Sequence, residues 1–367
     1  MKKPRQKIGL IFGTRPEIVK LAPLVRLLEK KKADYFTLHT GQHYSFEMDR
    51  LFFRQLQLPA PRYKLVSSGS GQHGEQTGHM LENIEKILLK EKPGAVLVQG
   101  DTNSVLAGAL AASKIAGIRI GHVEAGLRSY DRRMPEELNR SVTDHLSDFL
   151  FAPTPAARRI LVGEGVASKK IFVTGNTIVD SVLLGLKLAR KKAKLQKILP
   201  ARVKKFFLLT LHRQENVDDR KIFGSILSGL EKIHQLYGTP ILFPAHPRTV
   251  KMIRRFGLRV PRGIHVLKPV GFMEFLLLEK SAELLLTDSG GVQEEGCILR
   301  VPCVTLRTTT ERPETVRVGA NVIAGHEPEK IVRSARRMLR ARRDWANPFG
   351  DGRASTRILN IVERALA

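Results

Sequence analysis

The chain has 367 residues, enough for two domains of ordinary size, and 42% of them are hydrophobic, which excludes wholesale disorder. No apolar run approaches the ~18 residues that a membrane-spanning helix needs. The net charge is +27, from 62 Lys and Arg against 35 Asp and Glu. No zinc-finger, RNP or interleaved aromatic pattern accompanies that charge, so nucleic-acid recognition is not expected as the primary role.

The excess lies mainly in "KLARKKAKLQK", "RTVKMIRRFGLR" and "RSARRMLRARR", which read as solvated helix faces. A cationic surface that draws in a small anionic substrate explains it more simply. Cys297 and Cys303 have no Cys-x-x-Cys spacing, and the 11 histidines form no metal-binding pattern. Metal and redox cofactors are therefore not expected. The start, "MKKPRQKIGLIFG", is basic then apolar. It lacks a small-residue cleavage site and leads into a charged helix, so it reads as a buried strand of a cytosolic protein.

The first predicted strand, "KIGLIFG", runs into a helix near Glu17–Lys31 through "FGTRPE". Gly13 allows a tight turn, Thr14 suits a cap and Pro16 suits the first helical turn. Capping also accounts for Glu17. It does not account for Arg15, a cation at the positive end of a helix, so this turn reads as a phosphate site. "YFTLHTG" precedes a helix near Ser45–Leu56.

"AVLVQGD" leads into "NSVLAGALAASKIAG", and "RIGHVEAG" into "EELNRSVTDHLSD". Two carboxylates, Asp101 and Glu124, thus end strands, where ligands of open α/β sheets bind. Asp101 has an equal reading as a helix cap. Glu124 does not, because Gly126 breaks the chain before a helix begins. A third carboxylate, Glu136 or Glu137, opens the helix in "PEELNR". Arg140 lies four residues beyond Glu136, where a plain ion pair is the simplest expectation.

"KIFVTGN" with "TIVDSVLLGLKLARK" closes the first set. The alternation restarts at "FFLLTLH" and continues through "PILFPAH", "IHVL", "ELLLTD" and "PCVTLR". His212 and His246 then stand at strand ends. "TDSGGVQEEG" repeats the strand–turn–helix design. Ser289, Gly290 and Gly291 let backbone N–H groups approach a phosphate, and Glu294 or Glu295 is placed for ribose hydroxyls. Neither glycine loop has G-x-G-x-x-G spacing or a Walker lysine, so the expected ligand is a nucleotide diphosphate. "LRTTTERPE", with Arg307, Glu311 and Arg312, reads either as a closing loop or as a solvated charged one. Buried β-branched runs alternating with helices predict an α/β protein of two Rossmann-like domains. The expected bounds are 1–174 and 175–352, with helix 353–367 returning to the first domain.

In order along the chain, "FGTRPEIVKLAPL", "TGQHY", "GDTNSVLAGALAA", "HVEAGLRS", "MPEELNR", "GNTIVDS", "LTLHRQEN", "DSGGVQEE" and "TTERPE" resemble the non-hydrolysing UDP-N-acetylglucosamine 2-epimerases. The resemblance implies a glycosyltransferase-B-like fold with the active-site cleft between two domains, a homodimer and no cofactor. It implies reversible conversion of UDP-GlcNAc to UDP-ManNAc by elimination of UDP to 2-acetamidoglucal and re-addition. By motif match, Asp101, Glu124 and Glu136 become acid/base carboxylates, and His212 acts near the leaving diphosphate. Arg15, Lys20 and Arg140 contact it or hold the carboxylates. Ser289, Gly290, Gly291 and Glu295 grip phosphate and ribose, with Phe275 against uracil. His246, from its strand end, and Arg312, from the loop that can close over the ligand, are read as further substrate contacts. Gln42 and His43 become candidates for binding a second, activating substrate molecule. Thr308 stands where many relatives carry Asp. A sister epimerase of a diacetamido-glucuronate nucleotide is the nearest alternative, and a transferase on the same scaffold is a further one.

Overall fold

All five residues of "IGLIF" are buried, so the first strand must be covered by helices on both faces. The computed structural model describes residues 6–42, 46–66, 71–192, 195–200 and 203–367. These form two compact units, Met1–Leu184 with Phe349–Ala367, and Gly185–Pro348. The division falls inside the helix Thr177–Lys192, beyond Gly175.

In the first unit the strands are β1 (Ile8–Phe12), β2 (Tyr35–His39), β3 (Tyr63–Lys64), β4 (Ala95–Gln99), β5 (Arg119–Val123), β6 (Phe149–Ala152) and β7 (Ile171–Val173). They pair in the order β3-β2-β1-β4-β5-β6-β7, every pair parallel. The order reverses between β1 and β4, which makes that gap the topological switch point. Ile11, Val96 and Val98 from the sheet pack with Met80, Ile84 and Leu88 of helix His73–Glu91. The closing helix, Ala354–Leu366, buries Ile358, Leu359 and Val362. It is tied to helix Arg15–Lys31 by Lys31 and Glu363 at 2.6 Å.

The second unit repeats the plan with β8 (Phe207–Thr210), β9 (Ile241–Pro244), β10 (Ile264–Leu267), β11 (Leu284–Thr287), β12 (Cys303–Thr305) and β13 (Asn321–Ile323). Its order is β10-β9-β8-β11-β12-β13, again all parallel, with the switch point between β8 and β11. Leu209, Phe243 and Leu286 pack with Phe223, Ile226 and Leu230 of helix Arg220–Tyr237 and with Ile331 and Ala335 of helix Pro328–Leu339. Both units are thus doubly wound α/β sheets of the Rossmann type. Cys297 and Cys303 are buried free thiols. Among the described residues no helix is long and apolar enough to cross a membrane.

Candidate active site

In the first unit, the turn after β1 starts the helix Arg15–Lys31. Glu17 folds back on this turn, and its Oε2 accepts from the backbone N–H groups of Gly13 (2.5 Å) and Thr14 (3.0 Å). Its other oxygen accepts from the Thr102 hydroxyl, beside Asp101. One buried carboxyl therefore joins the turns on the two sides of the switch point. Burial pushes it up to about 7, against the pull of those three donors. The Arg15 guanidinium stands 5.8 Å from the centre of the Phe52 ring.

Asp101 and Glu124 follow the adjacent strands β4 and β5, and each is held by a cation. Arg140 donates to Asp101 Oδ2 at 2.6 Å, and Lys20 Nζ lies 2.5 Å from Glu124 Oε2. Gln99 also donates to Glu124 Oε2 at 2.8 Å. Glu124 has φ 75°, a left-handed conformation unusual for a residue with a side chain. The helix after Asp101 is capped by Thr102, whose side chain accepts from Val105 N–H, so Asp101 does not serve as its cap.

The structure separates the two candidates at the start of helix Pro135–Leu146. Glu137 accepts from Ser129 N–H and Oγ–H and from Tyr130 N–H, all at 2.9 Å, and lies 3.0 Å from Arg140. It is the structural member of the pair. Half-buried Glu136 has no hydrogen bond or ion pair among the described residues. The ion pair of Glu136 with Arg140 that the spacing allows does not form, because Asp101 and Glu137 hold the guanidinium. Gln42 accepts from Ser104 N–H (2.9 Å) and Ser104 Oγ–H (2.7 Å), which fixes it to the helix after Asp101. His43 lies outside the described residues.

In the second unit the corresponding switch point is organised by Asp288, which is fully buried. Its carboxylate accepts from His212 N–H (2.9 Å), Arg213 N–H (2.9 Å) and Asn216 Nδ2 (3.2 Å). His212 Nδ1 lies 3.3 Å from Asp288 Oδ1, and its side chain is about half exposed. An imidazole held at Nδ1 by a buried carboxylate keeps its other nitrogen for chemistry. Sequence reasoning gave Asp288 no role, although its place one residue before Ser-Gly-Gly was the available signal.

Ser289 occupies the N-cap position of the helix Gly290–Leu299, without a capping bond from its side chain. A Cβ on Gly290 would meet nothing nearer than Glu311 Oε2 at 3.8 Å, and one on Gly291 nothing nearer than Ser289 Oγ at 3.8 Å. Neither position has a positive φ. Packing and backbone strain therefore do not explain these glycines.

Glu294 lies 2.7 Å from Arg312 Nε. Glu295 lies beside Glu279; burial and this neighbouring carboxylate push the Glu279 carboxyl well above its usual range. The loop with Arg307 and Glu311 is not a solvated one. Both are buried and joined by two bonds of 2.9 Å, and Arg307 Nε reaches Glu215 at 3.2 Å. Burial alone would raise Glu311, but Arg307, with Arg312 and Arg213, holds it at about 2. Thr308 is exposed beside it. Exposed His246 caps helix Pro247–Arg255, its Nδ1 accepting from Arg248 N–H at 3.2 Å. Phe275 is half-buried against the core formed by Phe206 and Leu208.

Compared with known proteins, residues 26–363 match the family model for UDP-N-acetylglucosamine 2-epimerase. The enzyme of that name from Methanocaldococcus jannaschii is 54% identical over 362 residues, 97% of this chain and 98% of that protein. The UDP-2,3-diacetamido-2,3-dideoxy-D-glucuronate 2-epimerase of Pseudomonas aeruginosa is 45% identical over 362 residues, 98% of this chain and 99% of its own. The crystal structure of the M. jannaschii UDP-GlcNAc 2-epimerase in complex with UDP-GlcNAc and UDP matches with a TM-score of 0.91 at 54% identity, covering 98% of this chain and 99% of that one. The shared fold is a glycosyltransferase-B-like pair of α/β domains.

Proposed function

The chain belongs to the UDP-N-acetylglucosamine 2-epimerase family, and from that premise we propose that it interconverts UDP-GlcNAc and UDP-ManNAc in the cytosol, as a homodimer and without a cofactor. The observation that carries the proposal is the set of three carboxylates in the first unit. Asp101 and Glu124 end neighbouring strands, each against a cation, and Glu136 has no partner of its own among the described residues. Epimerisation at C2 removes a weakly acidic proton from one face and returns one to the other, which calls for more than one acid/base group.

In this reading a carboxylate takes the C2 proton as the C1–O bond to UDP breaks, leaving 2-acetamidoglucal and UDP. A second acid then protonates C2 on the opposite face while a UDP oxygen re-forms the bond to C1. Lys20 and Arg140 hold Glu124 and Asp101 in place. Charge accumulates on the departing diphosphate, where fixed donors act most strongly. Arg15, His212 and the N–H groups after Ser289 supply those donors, with Glu295 on the ribose.

The test is incubation with UDP-GlcNAc in deuterated water, followed by NMR. UDP-ManNAc carrying deuterium at C2 is the expected product. No exchange, together with turnover of the diacetamido-glucuronate nucleotide, would move the chain to the activity of its P. aeruginosa relative. Asp101→Asn, Glu124→Gln and Glu136→Gln should each lower turnover at least ~100-fold. Near-normal rates in all three would remove the carboxylates from the mechanism.

A further inference from the structure

Behind the carboxylates lies a second group of charges that the proposed chemistry does not use. His122, in β5, is fully buried. Its Nδ1 lies 2.6 Å from Asp144 Oδ1 and its Nε2 lies 2.8 Å from the Gly100 carbonyl oxygen. The ring therefore bridges a buried carboxylate and a backbone carbonyl. Asp144, buried in helix Pro135–Leu146, also accepts from Gly126 N–H at 3.2 Å and lies 2.7 Å from Arg128. Arg128 in turn grips Glu164 through Nε (2.8 Å) and Nη2 (2.5 Å). His122, Asp144 and Arg128 are buried, and Glu164 closes the cluster at a partly exposed edge. Burial alone would raise the Asp144 carboxyl, but His122 and Arg128 outweigh it and hold it low.

The anchor points of this cluster are specific. Gly100 immediately precedes Asp101, and Gly126 comes two residues after Glu124. Gly100, Glu124 and Gly126 have φ of 87°, 75° and 81°. Glycine adopts such angles freely, but Glu124 does so only where its surroundings fix it. A buried ionic cluster is also a poor source of net stability.

We infer that His122 and Asp144 are positioning residues, which lock the Gly100–Asp101 turn to the Glu124–Gly126 turn and so set the placement of the two carboxylates. The inference rests on the epimerase reading for its kinetic consequence but not for its structural one. Two variants test it, His122→Gln and Asp144→Asn, with rates normalised to the protein that still binds UDP.

The expected result is a fall in kcat on the order of 10- to 100-fold, with KM changed less than about threefold, as for misplaced catalytic groups. Released 2-acetamidoglucal should rise relative to epimerised product, because capture of the intermediate needs both carboxylates placed correctly. In an Asp101→Asn background, His122→Gln should cost much less than it does alone. Independently of substrate, amide hydrogen exchange should speed up in peptides spanning 100–101 and 124–126. Unchanged exchange in both variants overturns the lock. Faster exchange with kcat within twofold, an unaltered product ratio, or effects that multiply in the double variant overturns the positioning role. A wild type that exchanges no deuterium at C2 refutes the epimerase reading alone, and the hydrogen-exchange result then decides the lock.

Discussion

Glu17 shows how one side chain adjusts the site without facing the chemistry. Its carboxyl closes the turn after β1 and reaches Thr102 beside Asp101, while burial pushes it up to about 7 from the usual 4.5. The folded state therefore favours the neutral acid. That contribution is complete below about pH 4.5 and is lost as pH rises through about 7, a swing on the order of 3 kcal/mol. Glu17→Gln keeps an acceptor and removes the titration, with the Thr102 hydroxyl turning to accept. Wild-type stability relative to this variant should fall between pH 4.5 and 7.5, measured by urea denaturation. A constant difference would mean that Glu17 stays ionised throughout.

The strand-end placement of Asp101 and Glu124 is legible because each follows a β-branched run. Choosing between Glu136 and Glu137 is not, since spacing alone cannot tell which one Ser129 and Tyr130 will capture. Asp144 and His122 are silent for a related reason. Their partners lie far off in sequence, and a buried polar group is identified only by what it bonds.

Strands buried on every residue, such as β1, β4 and β11, are the most readable elements, since each shows at least three consecutive apolar residues or an apolar run broken only by glycine. Helix His73–Glu91 is not, because its buried face is one residue per turn, Met80, Ile84 and Leu88, within a polar segment. β6 is missed because it begins just after helix Pro135–Leu146, with Ser147 and Asp148 the whole connection. The two-residue strand β3 is too short for any alternation to show.

Helix Ala354–Leu366 is legible as a helix, but its attachment is not. Buried Asp180 accepts from Ala354 N–H (3.2 Å) and Ser355 N–H (3.0 Å), capping that helix from a residue far upstream. Asp180→Ala should cost about 1–3 kcal/mol and speed hydrogen exchange across the last helix, with the six-stranded unit unaffected. Equal loosening of both units would argue against a local cap.

For the whole molecule, the restart of strand–helix alternation near Phe206 reveals two sheets, whereas a border inside a continuous helix leaves no shift in composition to read. The charge of +27 acts at this scale too. If it steers a dianionic nucleotide sugar, kcat/KM should fall about tenfold as salt rises from roughly 20 to 500 mM, while kcat changes little. A flat salt profile would leave the charge without a part in substrate capture.

The chain leaves the first unit at Leu184 and re-enters it at Phe349. A ribosome must therefore translate the whole six-stranded unit before the seven-stranded one receives its final helix. Until then the bed for Ile358, Leu359 and Val362 stands bare on the nascent chain, an apolar strip open to chaperones throughout that stretch of synthesis.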